Sequence, residues 1–434
     1  MSPPRPHPHP HSPRPPGAAH AVVTFLALGL IAAWAGLWVR SLGADRYALG
    51  GATWVPPLPF MAGDFKVHID HVARVYAAGG DPYRTPGDWV CQCFPYPPMV
   101  PRLFSWVALV STPVAVRVWL CVLAGVFLVG ALAAWRARRA MGLRPVPLAA
   151  VVAALACSSP ALLAMERGQC DPAVIPALLA VAWLLRGRGA ARDLAAGALL
   201  ALAAWVKYYP GLAVVAFPAL GRWRALAAFV AVAGLIGAVD RVDVKRSIDN
   251  GLALSRAYPR HYPTPPMHHS IVSEWRSLWV RRYVPLLRKV PPPCAAALLL
   301  VPPVALVTRR VARARGPGPL VFPYMLWLTA AATFAMPYSV DYNLAVLPLA
   351  ALAVWDRRDP PRVHAAMACL LVWWQPFALP LRGEVLFYAK LAGLYAVGAS
   401  LAARADESAA AVTVVPRPWA FVRRVSGTRM RGLR

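Results

Sequence analysis

Long apolar runs, separated by short charged stretches, recur along most of the chain. A helix needs about 20 apolar residues to span the hydrocarbon core of a membrane, and about twelve runs reach or approach that length. These runs lie near residues 20–39, 113–135, 146–165, 171–185, 193–206, 208–220, 223–239, 294–308, 318–336, 342–355, 364–380 and 385–403. Some are short for a full span and are expected to be tilted, re-entrant or merged with a neighbour. The pattern predicts an all-α polytopic membrane protein with about twelve transmembrane helices.

Composition indicates the same class of protein. Of the 434 residues, 59% are hydrophobic and 15% are charged, and the mean hydropathy is +0.49. A chain of this composition cannot present a sufficiently polar surface to water as a globule. The net charge of +28 favours anionic membrane lipids as partners and no nucleic acid, because the basic residues are not clustered on a soluble domain or arm.

The basic residues also predict an orientation. Short cytoplasmic loops of membrane proteins are enriched in Arg and Lys. If the runs alternate in direction, one side receives RARRAMGLR, RGRGAARD, GRWR, RRVARARG, DRRDPPR and the tail from Arg417 to Arg434. We therefore expect a multi-pass protein of the bacterial cytoplasmic membrane with both termini in the cytoplasm. The outer segment 240–293 is basic and violates the rule, which long loops obey poorly.

The chain divides into three regions. Residues 1–19 are rich in Pro and His and predict a disordered cytoplasmic arm. Residues 20–403 form the predicted transmembrane domain, with outer loops at about 40–98 and 240–293. Residues 404–434 predict a basic cytoplasmic tail.

The first outer loop contains candidates for chemistry in the stretch GDFKVHIDHVARVYAAGGDPYR. Asp64, His68 and His71 are spaced so that a helix over 64–76 would place them on one face. Such a face could provide a carboxylate as general base, or hold zinc or manganese. It could equally be a solvated amphipathic helix without a chemical role. The residues alone leave these alternatives open.

The order of five segments resembles glycosyltransferase family 87. They are DFKVHIDHVARVYAAGGDPYR, FPYPP, MERGQCDPAVIPALL, AAGALLALAAWVKYYPGLAVVAFPALGRWRAL and MPYSVDYNLAVLPLAAL. These membrane enzymes are related to polyprenol-phosphate-mannose-dependent mannosyltransferases with the GT-C fold. The resemblance implies a GT-C-like fold whose outer loops form the active site. It also implies a hexosyltransferase that moves a hexose, mannose by family default, from a polyprenyl-phosphate-linked donor to a hydroxyl of a glycolipid or glycan at the outer face. No cofactor and no metal are expected.

The resemblance assigns roles to individual residues. It implies that Asp64 is the general base of an inverting displacement. Lys207 and Gln169 match positions that bind the donor phosphate or sugar. Where family members carry histidines in the late outer loop, this chain reads SVDYN. Their expected substitutes in donor binding are Tyr342, Asn343, His268 and His269.

Three further positions match residues that shape the first outer loop. Asp81 and Tyr83 belong to a GDPY turn, and Tyr96 belongs to a YPP turn. Cys170 could form a disulfide with Cys91 or Cys93, all three being expected on the outer face.

Two other classes of function remain as alternatives. A polytopic transporter or lipid flippase would place polar residues and broken helices near the membrane midplane, commonly in two related halves. Here the ionisable residues collect at the outer helix ends, and no clear repeat is present. A non-enzymatic membrane scaffold would leave Asp64 and Lys207 without a purpose.

Overall fold

The computed structural model describes residues 18–44, 62–84, 94–261, 270–275, 283–314, 318–336, 339, 341–371 and 383–410. The predicted N-terminal arm and residues 411–434 of the predicted tail lie outside these ranges, apart from the first residues of α1. The helices, in chain order, are α1 Ala18–Ala44, α2 His71–Ala77, α3 Met99–Leu103, α4 Thr112–Ala140, α5 Leu148–Ala156, α6 Ser159–Arg167, α7 Val174–Arg186, α8 Ala190–Val206, α9 Ala216–Ala219, α10 Trp223–Val239, α11 Arg241–His261, α12 Ile271–Glu274, α13 Pro292–Arg313, α14 Gly318–Ala335, α15 Val346–Val354, α16 Pro361–Leu371 and α17 Gly383–Ala410.

Shorter helical turns join several of these helices. A π-helix covers Phe65–Asp70, and 3-10 turns cover Ser105–Leu109, Asp171–Ala173, Tyr209–Val215, Pro285–Lys289 and Asp341–Ala345. The described residues contain no strand. The prediction of an all-α protein is therefore confirmed for the described part of the chain.

Within the described ranges, five helices are long and apolar enough to cross a membrane, and seven if two bent pairs each count as one span. The bent pairs are α5 with α6, at 63°, and α10 with the first part of α11, at 91°. The protein is a polytopic membrane protein, but the predicted number of about twelve spans is not confirmed. Several predicted runs form helices that are short for a full crossing, such as α7 with 13 residues and α15 with 9.

Helix α14 lies at the centre of the bundle. Its side chains are buried almost all the way round, from Leu320 to Phe334, because its sequence has no polar face to turn outward. It packs against α4, α7, α13, α15 and α17. By contrast, α1, α4 and α10 leave large apolar side chains exposed, as expected for helices that face lipid.

Helices α8 and α10 are in close contact at Gly197. A Cβ atom added there would lie 2.1 Å from the carbonyl oxygen of Ala225 and 2.9 Å from the Cβ of Ala228. Small residues permit such contact between membrane helices.

We expect Gly197→Ala to lower the free energy of unfolding by about 1–3 kcal/mol, because the added methyl group forces the two backbones apart. Gly234→Ala is the matched control in α10, since nothing lies within 4 Å of its added Cβ. Thermal unfolding in detergent measures both variants. Equal melting temperatures would contradict the close contact between α8 and α10.

Five basic segments meet at one end of the bundle, which we call the basic end. Arg138 donates to the carbonyl oxygen of Trp355, and Arg404 Nη2 lies 2.8 Å from Asp359 Oδ1. The other contacts are Arg310 with Asp406, Arg222 with Asp193 at 3.1 Å, and Gly318 beside Arg186. The segments 136–144, 186–193, 221–224, 309–316 and 356–362 therefore lie on one side, as their charge predicted. The side of the membrane that this end faces stays a prediction.

Helix α4 runs from one end of the bundle to the other, so its length gives the distance between them. At its start, the Thr112 hydroxyl donates to Asp70 Oδ2 at 2.7 Å, within the first predicted outer loop. Near its other end, Arg138 belongs to the basic end. At a rise of 1.5 Å per residue these two positions are separated by about 40 Å. The predicted outer loop and the basic segments thus lie at opposite ends.

Candidate functional site

Aromatic side chains attach the first outer loop to the helical bundle. The ring of Phe65 stacks on Trp119, with centroids 5.9 Å apart, and meets Phe104 edge-on at 6.0 Å. Phe94 and Tyr96 also pack together, at 5.2 Å. These residues form an apolar cluster separate from the main core. Aromatic pairs contribute about 0.5–1.5 kcal/mol each beyond burial alone. These contacts therefore stabilise the position of the loop on the bundle.

Gly168 places the start of this loop against the end of α6. It adopts a φ of +65°, which glycine tolerates best, and terminates the helix after Arg167. The Ala62 amide donates to the carbonyl oxygen of Glu166 at 2.8 Å. A Cβ on Gly168 would lie only 2.8 Å from the Cβ atoms of Ala62 and Phe65. This close approach brings the intervening Asp64 next to the residues that follow α6.

The Asp64 carboxylate is held by two donors from that segment. Arg167 Nη1 lies 3.2 Å from Asp64 Oδ1, and Gln169 Nε2 donates to Asp64 Oδ2. The Arg167 side chain is 3% exposed, while that of Asp64 is 13% exposed. Charge-assisted hydrogen bonds of this kind fix the orientation of a carboxylate. Asp64 is therefore fixed in place yet still partly open to solvent.

A second buried carboxylate, Asp171, lies two residues beyond Gln169. It accepts hydrogen bonds from the Tyr209 hydroxyl, at 2.7 Å, and from the Asn343 amide. Lys207 Nζ lies 3.1 Å from its other oxygen. The Asp171 side chain is 1% exposed, and Ser339 Oγ donates to Asn343 Oδ1 at 3.1 Å. Two hydrogen bonds, an ion pair and burial leave Asp171 little opportunity to react with a substrate.

Tyr96 connects the two carboxylate clusters. Its hydroxyl donates to Gln169 Oε1 at 3.2 Å. Lys207 Nζ lies 4.0 Å from the centroid of its ring, which is a cation–π contact. Asp64, Gln169, Tyr96, Lys207 and Asp171 therefore form one continuous polar network. Its members come from five separate parts of the sequence once Asn343 is included.

A cavity of about 240 Å³ lies beside Lys207. Its polar lining comes from Lys207, Tyr208, Tyr209, Ser247, Ser339 and Asn343. Its apolar lining comes mainly from α11 and the end of α14, through Ile248, Leu252, Leu254 and Met336. Tyr96 also lines the cavity, whereas Asp64 does not. The cavity therefore offers a cation and several neutral hydrogen-bonding groups next to an apolar wall.

Helix α11 covers this region and is attached to the loop below it. Arg246 Nη1 lies 2.9 Å from Asp81 Oδ2, and Ser247 Oγ donates to the Pro95 carbonyl at 3.1 Å. At the bend before α11, Arg102 Nη1 donates to Asp240 Oδ2 at 2.6 Å. This hydrogen bond to Asp240 is the main cause that raises the pKa of Arg102 above its ordinary value. These contacts make α11 one wall of the site.

Asp81 and Tyr83 form a turn within the first outer loop. Asp81 Oδ1 accepts a hydrogen bond from the Tyr83 amide at 2.9 Å, which is an Asx turn. The Tyr83 hydroxyl donates to the Tyr96 carbonyl at 3.0 Å. Burial raises the pKa of Tyr83 well above its ordinary value, with a smaller contribution from Tyr208. Tyr83 is thus a neutral donor that supports the backbone at Tyr96.

The second histidine of the first outer loop, His71, does not share a face with Asp64. The chain forms a π-helix over Phe65–Asp70 before α2 begins at His71, which shifts the spacing that a regular α-helix would give. His71 is exposed, whereas Asp64 and His68 are partly buried. Asp70 is buried and paired with Arg74 at 2.9 Å. Across the described residues, no group of three or more His, Cys, Asp or Glu side chains could hold a metal ion.

The structure brings together five of the residues selected from the sequence, namely Asp64, Tyr96, Gln169, Lys207 and Asn343. His268 and His269 lie outside the described residues, as does the side chain of Tyr342. Cys91 and Cys93 lie outside them too. Cys170 is buried, and this burial raises the pKa of its thiol to about 12.

The sequence pattern did not indicate Arg167, Asp171 or Tyr209 as site residues. Arg167 lies in the MERGQCD segment and Tyr209 in the KYYP corner. Their positions close to Gln169 and Lys207 were the available signal. Charges at membrane depth are costly unless paired, so a charged residue beside a site residue is itself a candidate for the site.

The sequence model of glycosyltransferase family 87 matches residues 94–242. The matched part contains Tyr96, Arg167, Gln169, Asp171 and Lys207, whereas Asp64 and Asn343 lie outside it. No curated protein and no solved structure matches the chain. The resemblance seen in the order of the sequence segments is therefore confirmed by the family model over residues 94–242, and this match indicates a glycosyltransferase.

Proposed function

We propose that this glycosyltransferase moves a hexose, with mannose as the first candidate, from a polyprenyl-phosphate-linked donor to a hydroxyl of a glycolipid or glycan. The observation that carries the proposal is the network from Asp64 through Gln169 and Tyr96 to Lys207. It joins an accessible carboxylate to a cation beside a cavity, at the end of the bundle opposite the basic segments. In the bacterial cytoplasmic membrane this end would face outward, with both termini in the cytoplasm.

The exposure of the two carboxylates supports Asp64 as the general base. An acceptor hydroxyl must come within hydrogen-bonding distance of the base. Asp64 is 13% exposed, while Asp171 is 1% exposed and already accepts hydrogen bonds from Tyr209 and Asn343. Asp64 is therefore the carboxylate that an acceptor can reach, and Asp171 serves to position Lys207 and Asn343.

The lining of the cavity supports a lipid-linked phosphate as the donor group. A lysine ammonium has three donors. Lys207 forms an ion pair with Asp171 and also lines the cavity. Ser247, Asn343 and Tyr208 add neutral polar groups, and Ile248 and Leu252 provide an apolar wall for the first part of a prenyl chain. Gln169 and Tyr96 lie between this cavity and Asp64, where sugar hydroxyls would bind.

The proposed reaction is a single displacement with inversion at the anomeric carbon. Asp64 accepts the proton of the acceptor hydroxyl as the acceptor oxygen bonds to that carbon. The bond from the carbon to the phosphate oxygen breaks, and polyprenyl phosphate leaves with the electron pair. Lys207 stabilises the negative charge that increases on the phosphate in the transition state.

The direct test is transfer of radiolabelled mannose from polyprenyl-phosphate-mannose by membranes that contain the full-length protein, with a lipid extract of the host as acceptor. We expect incorporation that depends on the protein. Polyprenyl-phosphate-glucose and GDP-mannose, assayed in parallel, test the sugar and the donor class. The GDP-mannose assay uses membranes depleted of polyprenyl phosphate.

Incorporation from GDP-mannose in those depleted membranes would contradict a lipid-linked donor. Absence of incorporation from every lipid-linked sugar, with the protein folded, would contradict the proposed reaction. Accumulation of the labelled lipid on one side of sealed vesicles, without transfer, would instead indicate the flippase alternative.

A further inference from the structure

A second cavity lies at the basic end, remote from the proposed site. It has a volume of about 340 Å³ and lies between the turn after α4 and the turn before α16. Three arginines contribute to its lining, Arg138, Arg144 and Arg357, against one carboxylate, Asp356. The rest of its wall is mainly apolar, from Val146, Ala150, Val151, Ala154 and Leu352. A cavity that combines guanidinium groups with an apolar wall suits an amphiphile with an anionic head.

Arg138 is the most informative residue of this cavity. Its side chain is largely removed from solvent, and the residue is 7% exposed. Its hydrogen bonds go to two backbone carbonyls, those of Arg144, at 3.0 Å, and Trp355. Within the described part of the chain it has no ion pair. The charges of Asp356 and Asp359 act on Arg138 at longer range. Buried charges are normally paired directly with an opposite charge, so a guanidinium whose hydrogen bonds go only to carbonyl oxygens indicates a site for an external anion.

The carboxylates near Arg138 are already occupied. Asp356 lies 3.1 Å from Arg358 Nε and 3.5 Å from Arg404 Nη1. Asp359 lies 2.8 Å from Arg404 Nη2. A third acid, Glu407, lies 3.0 Å from Arg404 Nη1 and 3.6 Å from Arg358 Nη1. Arg358 and Arg404 thus contact all three acids, which together carry fewer charges than the five arginines of this region. The local acids therefore do not balance Arg138, Arg144 and Arg357 together.

His364 does not add a fourth cation to the cavity. The Trp355 indole nitrogen, which can only donate, contacts His364 Nδ1 at 2.7 Å. Nδ1 must then accept, and the ring proton lies on Nε2, which is 3.3 Å from the carbonyl oxygen of Arg357. His364 is neutral in this arrangement and fixes Trp355 as part of the wall. The positive charge of the cavity therefore comes from arginine.

We propose that this cavity binds one anionic phospholipid of the leaflet at the basic end. The phosphate lies among Arg138, Arg144 and Arg357, and the first methylenes of an acyl chain follow the wall formed by Val151 and Leu352. Basic pockets between membrane helices bind anionic headgroups in this way. The lipid would join the end of α4 to the segment before α16. This inference does not depend on the proposed transfer reaction.

The test measures binding of phosphatidylglycerol to the purified full-length protein by native mass spectrometry and by the shift in melting temperature. A ligand that binds only the folded state raises the melting temperature, and by more when it binds more tightly. Arg144→Gln with Arg357→Gln removes two exposed charges for which no ion pair is present among the described residues, so folding should be preserved. We expect about fivefold weaker binding for each arginine removed.

Arg313→Gln with Arg362→Gln is the matched control. Both side chains are exposed near the basic end and neither lines the cavity, so the net charge changes equally. We expect unchanged phosphatidylglycerol binding in this control. Equal loss in the two double variants would overturn the proposal in favour of diffuse surface electrostatics. An equal shift with phosphatidylcholine, or with inorganic phosphate alone, would overturn it as well.

Discussion

Asp64→Asn should lower the rate of sugar transfer by about 10²–10⁴-fold, which is the usual contribution of a general base. The asparagine retains the shape of the side chain and an oxygen that can accept a hydrogen bond from Arg167. It cannot accept the proton of an acceptor hydroxyl. Initial rates of mannose transfer at saturating donor measure the effect, and the amount of folded protein is followed by its elution as a single detergent-solubilised species.

The ion pair with Arg167 calls for a control, because Arg167 is 3% exposed. Removing one partner of a buried pair commonly costs about 3–5 kcal/mol of stability, and loss of fold would also abolish transfer. The double variant Asp64→Asn with Arg167→Gln removes both charges and should restore most of the melting temperature. It should remain inactive. Asp249→Asn, an exposed carboxylate in a surface ion pair, should behave like the wild type.

The activity of the variants decides between the two roles of Asp64. If the double variant recovers the activity of Arg167→Gln alone, Asp64 serves only to balance the charge of Arg167, and the proposed base is wrong. If Arg167→Gln keeps measurable transfer while both variants that lack Asp64 do not, the carboxylate takes part in the reaction. Melting temperatures and transfer rates of the wild type, the two single variants and the double variant therefore distinguish a structural from a catalytic role of Asp64.

Hydropathy was sufficient to predict much of the helical order. The run predicted at 223–239 corresponds to α10, Trp223–Val239, and the run at 318–336 corresponds to α14, Gly318–Ala335. The predicted run at 146–165 instead forms two helices bent by 63°, with Pro160 in the first turn of the second. An apolar average over 19 residues does not register such a bend, because it does not locate the end of one helix and the start of the next.

The site was predictable as a set of residues but not as a set of contacts. The ordered segments selected Asp64, Gln169 and Lys207 individually. They did not reveal that Arg167 pairs with Asp64, or that Asp171 pairs with Lys207. Those pairs depend on the angles at which helix ends meet, and hydropathy contains no information on these angles. The π-helix before α2 likewise has no signal in the apolar pattern.

Lys207→Met should have the second large effect, on stability and on donor binding together. Methionine fills a similar volume but leaves the Asp171 carboxylate, 1% exposed, without its cation. We expect a loss of about 3–5 kcal/mol in the free energy of unfolding. Hydrogen bonds to a charged group contribute about 1.5–3 kcal/mol, so the KM for the lipid-linked donor should also rise by about tenfold to a hundredfold.

The two effects of Lys207→Met can be separated with a second substitution, Asp171→Asn. The asparagine oxygen still accepts from Tyr209, while the unpaired buried charge is gone. The double variant should therefore melt close to the wild type and retain the raised KM for donor. Asp171→Asn alone leaves a lysine that is 15% exposed, and should cost less stability than Lys207→Met. A double variant with wild-type KM would show that Lys207 only balances Asp171, and the phosphate would then have to be bound elsewhere along the cavity.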